Sequence, residues 1–170
     1  MTTLPLPHVH SGKVRDIYAI GDDRLLMVTS DRLSAFDVVM AEPIPNKGRV
    51  LTAMTAFWFE LFKDMAGTVG SHLISTDVAD LPADVRSAGA DLAGRIMLCH
   101  RAEMLPVECI VRGYITGSAW KEYKASGTMH GDALPEGLLE SAQLPEPVFT
   151  PSTVASSHSR RLRLGCVMRL

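Results

Sequence analysis

Leu105-Pro-Val-Glu-Cys-Ile-Val-Arg-Gly-Tyr-Ile-Thr-Gly-Ser118 joins an aliphatic run to a turn of small residues, and the rest of the chain is organised around it. Val107, Cys109 and Val111 alternate with Glu108, Ile110 and Arg112, so a strand here places Glu108 and Arg112 on one face. Four residues of strand separate their Cα atoms by on the order of 13 Å, too far for the acid and the base simply to neutralise each other. They are expected to serve different parts of one ligand. Gly117 and Ser118 open the next helix, where free backbone N–H groups, a hydroxyl and the positive end of the helix dipole converge. With Arg112 just upstream, this predicts an anion site suited to a phosphate. The same alternation makes Cys109 a small core residue.

Upstream, residues 95–99 form a predicted strand, and His100-Arg-Ala-Glu-Met104 links it to the central stretch. Such a link is either a plain loop or the point where a sheet domain hands over to a second domain. In the second case Met104 is a soft side chain suited to an adenine ring. Further back, Val50, Leu51, Met54, Phe57, Trp58, Leu61, Phe62 and Met65 recur at three- and four-residue steps. That spacing predicts a helix with its apolar stripe on the sheet, and Phe57 and Trp58 as core anchors. Residues 72–76 read as a short strand, and 81–88 as a helical turn or two started by Pro82. His72 and His100 have no partner at metal-ligand spacing.

Nearer the N-terminus, Ser11-Gly-Lys-Val-Arg-Asp-Ile-Tyr18 enters a strand to Ile20, and Gly21-Asp22-Asp23 turns it back into residues 24–29. Gly12 at its head lets backbone approach a ligand, and Lys13 and Arg15 alternate onto one face where they could neutralise phosphates. An ordinary hairpin with solvated basic residues is the other reading. Ser30-Asp-Arg-Leu-Ser-Ala-Phe-Asp37 then makes a dense polar connection to an apolar strand at 38–40. Asp37 could accept a substrate amine or bind Mg²⁺; Asp31 could do either or cap the turn. A loop over 43–48 follows.

Beyond the central stretch, a helix over 119–125 carries Lys121, Glu122 and Lys124 on solvated faces and stops at Gly127. Residues 131–144 read as loop and short helix, followed by an extended segment over 145–151. The chain has 170 residues, 46% hydrophobic and 21% charged, and a net charge of −2. Residues 154–170 hold four arginines and no acid, so the remainder is markedly acidic. No run of about 18 apolar residues and no basic-then-apolar leader occur, which points to the cytoplasm. Cys99, Cys109 and Cys166 form no C-x-x-C pair and read as free thiols.

These blocks together resemble the phosphoribosylaminoimidazole-succinocarboxamide synthase, or SAICAR synthetase, family. The central stretch fits its first signature throughout. Residues 11–18, 30–37, Asn46-Lys-Gly48 before Phe57-Trp-Phe59, and Leu144-Pro-Glu-Pro-Val-Phe-Thr-Pro-Ser-Thr153 resemble its other blocks in the same order. The resemblance implies an α+β fold: an antiparallel β-sheet nucleotide-binding domain with a packed helix at 1–102, the start of a second α+β domain at 103–153, and a basic tail at 154–170 outside the pattern. It implies that Gly12, Lys13 and Arg15 cover ATP phosphates and that Met104 contacts adenine with Glu108 near the nucleotide. Arg112 and Ser118 would bind the phosphate of the imidazole ribonucleotide, and Asp37 would face the substrates.

The implied reaction uses ATP and Mg²⁺ to join carboxyaminoimidazole ribonucleotide to L-aspartate. A carboxylate resists attack by an amine until its oxygen becomes a leaving group, and an acyl phosphate supplies one. Catalysis is then mostly positioning and charge screening. After Thr153 the family pattern would continue Lys-Ala-Glu and later Asp-x-Lys-x-Glu-Phe, with acidic Mg²⁺ ligands; this chain reads Val-Ala-Ser-Ser-His-Ser-Arg-Arg. The expectation is a chain truncated by a shifted frame or altered gene model, with little synthase activity and a strand at 107–114 short of neighbours. Two alternatives are a non-catalytic nucleotide- or phosphate-binding fragment, and a tail that binds nucleic acid or an anionic membrane. The latter has only four charges and no interleaved aromatic residues.

Overall fold

The computed structural model describes residues 4–35, 38–66, 70–87, 90–103 and 107–153. The chain divides into two units, Met1–Glu103 and Met104–Leu170.

In the first unit the elements are β1 (His8–Ser11), β2 (Arg15–Ile20), β3 (Arg24–Thr29), β4 (Ser34–Ala35), β5 (Val38–Val39), α1 (Lys47–Ala66), β6 (Leu73–Ser75), α2 (Ala83–Ser87) and β7 (Ile96–His100). Five strands make one antiparallel sheet in the order β1-β2-β3-β7-β6. Register sets Tyr18, Leu26 and Leu98 abreast, and with Ile96 they meet Leu4, Leu81, Val85 and Leu92 in the core. The period-two alternation puts Ala19, Leu25 and Cys99 abreast on the opposite face. Cys99 is fully buried there, and burial pushes its thiol pKa up to about 11 despite the lowering effect of Arg15.

The predicted 15–20/24–29 hairpin forms, but an added strand, β1, precedes it. Gly12 and Lys13 therefore sit in the turn between β1 and β2, and Lys13 does not share a strand face with Arg15. The apolar run at 38–40 is not a core strand: Val38, Val39 and Met40 are exposed, and β5 only closes a two-residue ladder with β4.

Helix α1 forms where periodicity predicts it, starting a few residues earlier, yet it buries a different face. Gly48 and Thr52 are buried and Leu51, Thr55, Ala56 and Phe59 are half-buried. Val50, Met54, Phe57, Trp58, Leu61 and Phe62 are all exposed, Phe57 at 60%. At 3.6 residues per turn the two sets are centred about 130° apart around the helix. Phe57 and Trp58 are thus not core anchors. The physical reason is close packing. A Cβ on Gly48 would lie 2.6 Å from the Thr29 carbonyl oxygen and 2.8 Å from the Arg95 guanidinium. Small residues let α1 approach β3 at a distance the large stripe would forbid.

The second unit contains β8 (Val107–Glu108), β9 (Val111–Tyr114), α3 (Gly117–Ser126), β10 (Thr128–Met129), β11 (Asp132–Ala133), β12 (Gln143–Phe149) and β13 (Ser152–Thr153). Strand β9 pairs with β12 and β8 with β13, both antiparallel, so the central stretch does find neighbours within this chain. The predicted strand is interrupted at Cys109 and Ile110, opposite Thr150 and Pro151. Proline has no N–H for the ladder, and Thr150 instead donates its N–H to the Ile110 carbonyl at 2.7 Å. The interruption leaves Cys109 exposed rather than in the core. Ile115, Ala119, Met129 and Leu144 form the buried centre, with Trp120 and Tyr123 packed against it. Residues 131–144 hold no helix; a tight β10–β11 hairpin turns at His130 and Gly131, both at positive φ.

Candidate ligand-binding cleft

The first unit brings together the polar residues around Gly12. The Gly12 N–H donates to the Arg15 carbonyl at 2.7 Å, closing the turn. Ser30 anchors that turn by donating its N–H and its hydroxyl to the Val14 carbonyl, each at 2.9 Å. Arg32 donates to Ser30 Oγ at 3.0 Å and to the Gly12 carbonyl at 3.4 Å, and lies 3.6 Å from the buried Asp16 carboxylate. Asp16 also accepts a 2.8 Å bond from Ser11 Oγ. Arg15 and Lys13 are exposed beside this braced turn.

Asp31 faces inward to the scaffold. Its carboxylate takes a two-pronged contact from Arg95, including Nη2 at 2.8 Å, and accepts the N–H groups of Asn46 at 3.0 Å and Gly48 at 2.9 Å. The Arg95 guanidinium and the Gly48 N–H hold its pKa well below the usual carboxylate range. Its bonding capacity goes to Arg95 and to the start of α1, so Asp31 ties that helix to the sheet rather than binding an amine or a metal. The dense polarity at 30–32 is therefore structural. Asp37 and Met104 lie outside the described residues.

In the second unit, a cleft of about 590 Å³ is lined by Glu108, Ile110, Arg112, Ser118, Lys121, Glu122, His130, Thr150 and Ser152, among others. Glu108, Ile110 and Arg112 thus share one side despite the break in the strand. Arg112 Nε donates to Thr150 Oγ1 at 3.2 Å, while Thr150 Oγ1 donates to the Ile110 carbonyl at 3.3 Å. Thr150 is buried and orients the guanidinium from behind. At the start of α3, Thr116 makes no side-chain cap and Gly117 adopts φ +57°, a left-handed value that disfavours any side chain. The first N–H groups of the helix and the exposed Ser118 are consequently available at the cleft.

Glu108, Arg112 and Ser118 come together; Gly12, Lys13 and Arg15 belong to the other unit. Lys121 and Glu122, expected on solvated faces, line the cleft instead. Glu122 accepts bonds from Thr128 Oγ1 and the Gly131 N–H, both at 3.2 Å, which ties the β10–β11 hairpin to α3. Thr150, His130 and Ser152 were not singled out by spacing. Thr150 and Ser152 sit about 40 residues from Arg112 and Glu108, and only strand pairing unites them.

A profile of the SAICAR synthetase family matches residues 8–159, running past the last of the motif blocks at Thr153. The chain belongs to the SAICAR synthetase family. It is 60% identical over 147 residues to the phosphoribosylaminoimidazole-succinocarboxamide synthase of Trichlorobacter lovleyi, covering 86% of this chain and 48% of that one. It is 58% identical over 144 residues to that of Geobacter sulfurreducens, covering 85% and 47%. Among solved structures, the Saccharomyces cerevisiae SAICAR synthase complexed with SAICAR superposes with a TM-score of 0.75 at 45% identity, over 90% of this chain and 53% of that one. The chain spans about half the length of the curated relatives it matches. The family's α+β fold is the one observed, with its five-stranded antiparallel sheet.

Proposed function

We propose that this chain carries the ribonucleotide-phosphate subsite and an ATP-phosphate loop of the SAICAR synthetase reaction. That reaction is the ATP-dependent ligation of L-aspartate to carboxyaminoimidazole ribonucleotide. The observation that carries the reading is the meeting of Arg112, Ser118 and the uncapped α3 N-terminus in one cleft. Arg112 supplies a charge-assisted donor and the helix end supplies N–H groups, the combination that suits a phosphate monoester. Glu108, on the same wall, repels a phosphate and suits a hydroxyl or amine donor on another part of the ligand.

In the other unit, the braced turn at Gly12 with Lys13 and Arg15 is assigned to ATP phosphates. Met104 is assigned to adenine and Asp37 to substrate contact. Residues 1–102 would form the ATP-binding domain and 103–153 the start of the second one. The reaction needs a carboxylate activated by phosphoryl transfer and then attacked by the aspartate amine. The chain's part in it is to fix the ribonucleotide by its phosphate and hold the reacting carboxylate in place. ATP and Mg²⁺ are the cofactors of the reaction in this reading; among the described residues no three His, Cys, Asp or Glu side chains stand together as a metal site. No helix among the described residues is long and apolar enough to cross a membrane. We place the chain in the cytoplasm, with small-molecule partners and no nucleic acid or membrane.

Calorimetric titration with the ribonucleotide tests the subsite. Arg112→Ala removes one or two charge-assisted hydrogen bonds, each worth roughly 1.5–3 kcal/mol, and should weaken binding about ten- to hundredfold per bond. Unchanged affinity would refute the assignment.

A further inference from the structure

Lys121 lines the same cleft as Arg112 and Ser118, and no contact among the described residues uses its charge. The other ionisable side chains near it on α3 are engaged within the protein. Glu122 accepts bonds from the Thr128 hydroxyl and the Gly131 N–H, and the Lys124 ammonium lies 5.5 Å from the centre of the Trp120 ring. One turn of helix away from Lys121 stand Gly117, Ser118, Lys124 and Ala125. None of these is an acid, so no i,i+3 or i,i+4 ion pair is open to Lys121, and Lys124 is a like charge. The strands offer no counter-charge either. Glu108 accepts a bond from Ser152 Oγ at 3.5 Å, and among the described residues neither Lys121 nor Arg112 forms an ion pair.

The position is an unfavourable one for a cation. Lys121 follows the first turn of α3, near the positive end of the helix dipole, and that turn holds no acid to offset it. Helical side chains lean toward the N-terminus, which tilts Lys121 over Ser118 and the uncapped start of the helix. Arg112 enters the cleft from β9, with Thr150 holding its Nε at 3.2 Å. Two cations from two elements thus converge on one cleft, and neither is neutralised by the fold. We infer that Lys121 is the second cation of the ribonucleotide-phosphate subsite, a mobile point charge on the helix side that complements the planar fork of Arg112. The inference rests on the phosphate subsite proposed above. It also adds a ligand preference to it. A phosphate monoester carries about −1.5 to −2 charges near neutral pH, which a pair of cations matches. A carboxylate or a phosphodiester carries a single charge, which Arg112 alone would satisfy.

Calorimetric titration of the 170-residue chain with carboxyaminoimidazole ribonucleotide, and with the same compound as its phosphate methyl ester, tests the inference. Lys121→Gln should weaken binding of the monoester about five- to twentyfold, the loss of one charge-assisted hydrogen bond at an exposed position. The singly charged methyl ester should lose no more than about twofold, because Arg112 still meets its one charge. Lys121→Arg restores the charge and should bind the monoester within about threefold of the unsubstituted chain. Equal losses for the two ligands, or a loss that arginine does not restore, would overturn the inference, since a merely structural role for Lys121 predicts both. Unchanged monoester binding in Lys121→Gln would overturn it as well. Arg112→Ala, titrated alongside, separates the two readings. If it weakens monoester binding while Lys121→Gln does not, Lys121 alone is struck; if neither variant weakens it, the phosphate subsite falls with it.

Discussion

Arg112 and Asp31 show two uses of a charged side chain, one turned to a cleft and one to the scaffold. Arg112 spends a single nitrogen on the protein, the Nε bond to Thr150, and its guanidinium lines the cleft. Asp31 spends both oxygens on Arg95 and the start of α1. Removing the Thr150 hydroxyl should therefore loosen Arg112 without unfolding the unit. Thr150→Val is expected to weaken ribonucleotide binding about three- to tenfold, less than Arg112→Ala, by calorimetry. For Asp31 the sign follows from its depressed pKa. A carboxylate more acidic in the fold contributes stability that is fully present above its unfolded value of about 3.9, and that is lost as pH falls through the folded value. Asp31→Asn should lower stability at pH 7 by about 1–3 kcal/mol. In thermal melts followed by circular dichroism, its deficit against the unsubstituted chain should shrink steadily below about pH 4. A constant deficit across that range would show that Asp31 is not tied to Arg95 in solution.

Helix α1 is set by small residues as much as by large ones. Periodicity alone marks where it lies, since any three-to-four spacing of apolar residues does so. Which side meets β3 is settled by Gly48, because only a residue without a Cβ fits against Thr29 and Arg95. Gly48→Ala should force the first turn of α1 off the sheet and break its bonds to Asp31. A loss of about 1–3 kcal/mol is expected, read as a melting temperature lower by about 2–8 °C in scanning calorimetry. The break between β8 and β9 follows the same logic. Alternation counts Cys109 as inward, but Pro151 across the ladder ends the pairing and turns that residue out. The cleft survives because Glu108, Ile110 and Arg112 keep their common side on either side of the break.

Across the whole molecule, two units each carry a core of their own, one around Leu26 and Ile96 and the other around Ile115 and Met129. Binding and turnover should accordingly separate. The chain includes the cleft and the glycine turn and spans about half of its relatives' length. Purified 170-residue protein is expected to bind the ribonucleotide in calorimetry. It should release ADP in an aspartate-dependent manner at under about one hundredth of the rate of a full-length relative. Comparable rates would show that the shared span suffices for catalysis.

The sequence by itself determined the family, the hairpin at residues 15–29 and the position of α1, and it marked Glu108, Arg112 and Ser118, which line one cleft. These rest on local period, turn chemistry and motif order, all carried by neighbouring residues. Only the tertiary structure decided that Asp31 belongs to the scaffold, that Thr150 backs Arg112, and that the great apolar stripe of α1 faces away from its sheet. Each of those depends on partners brought together over long separations, such as Asp31 with Arg95 and Arg112 with Thr150. The last is also a competition between close packing and side-chain size that no single stretch of sequence encodes.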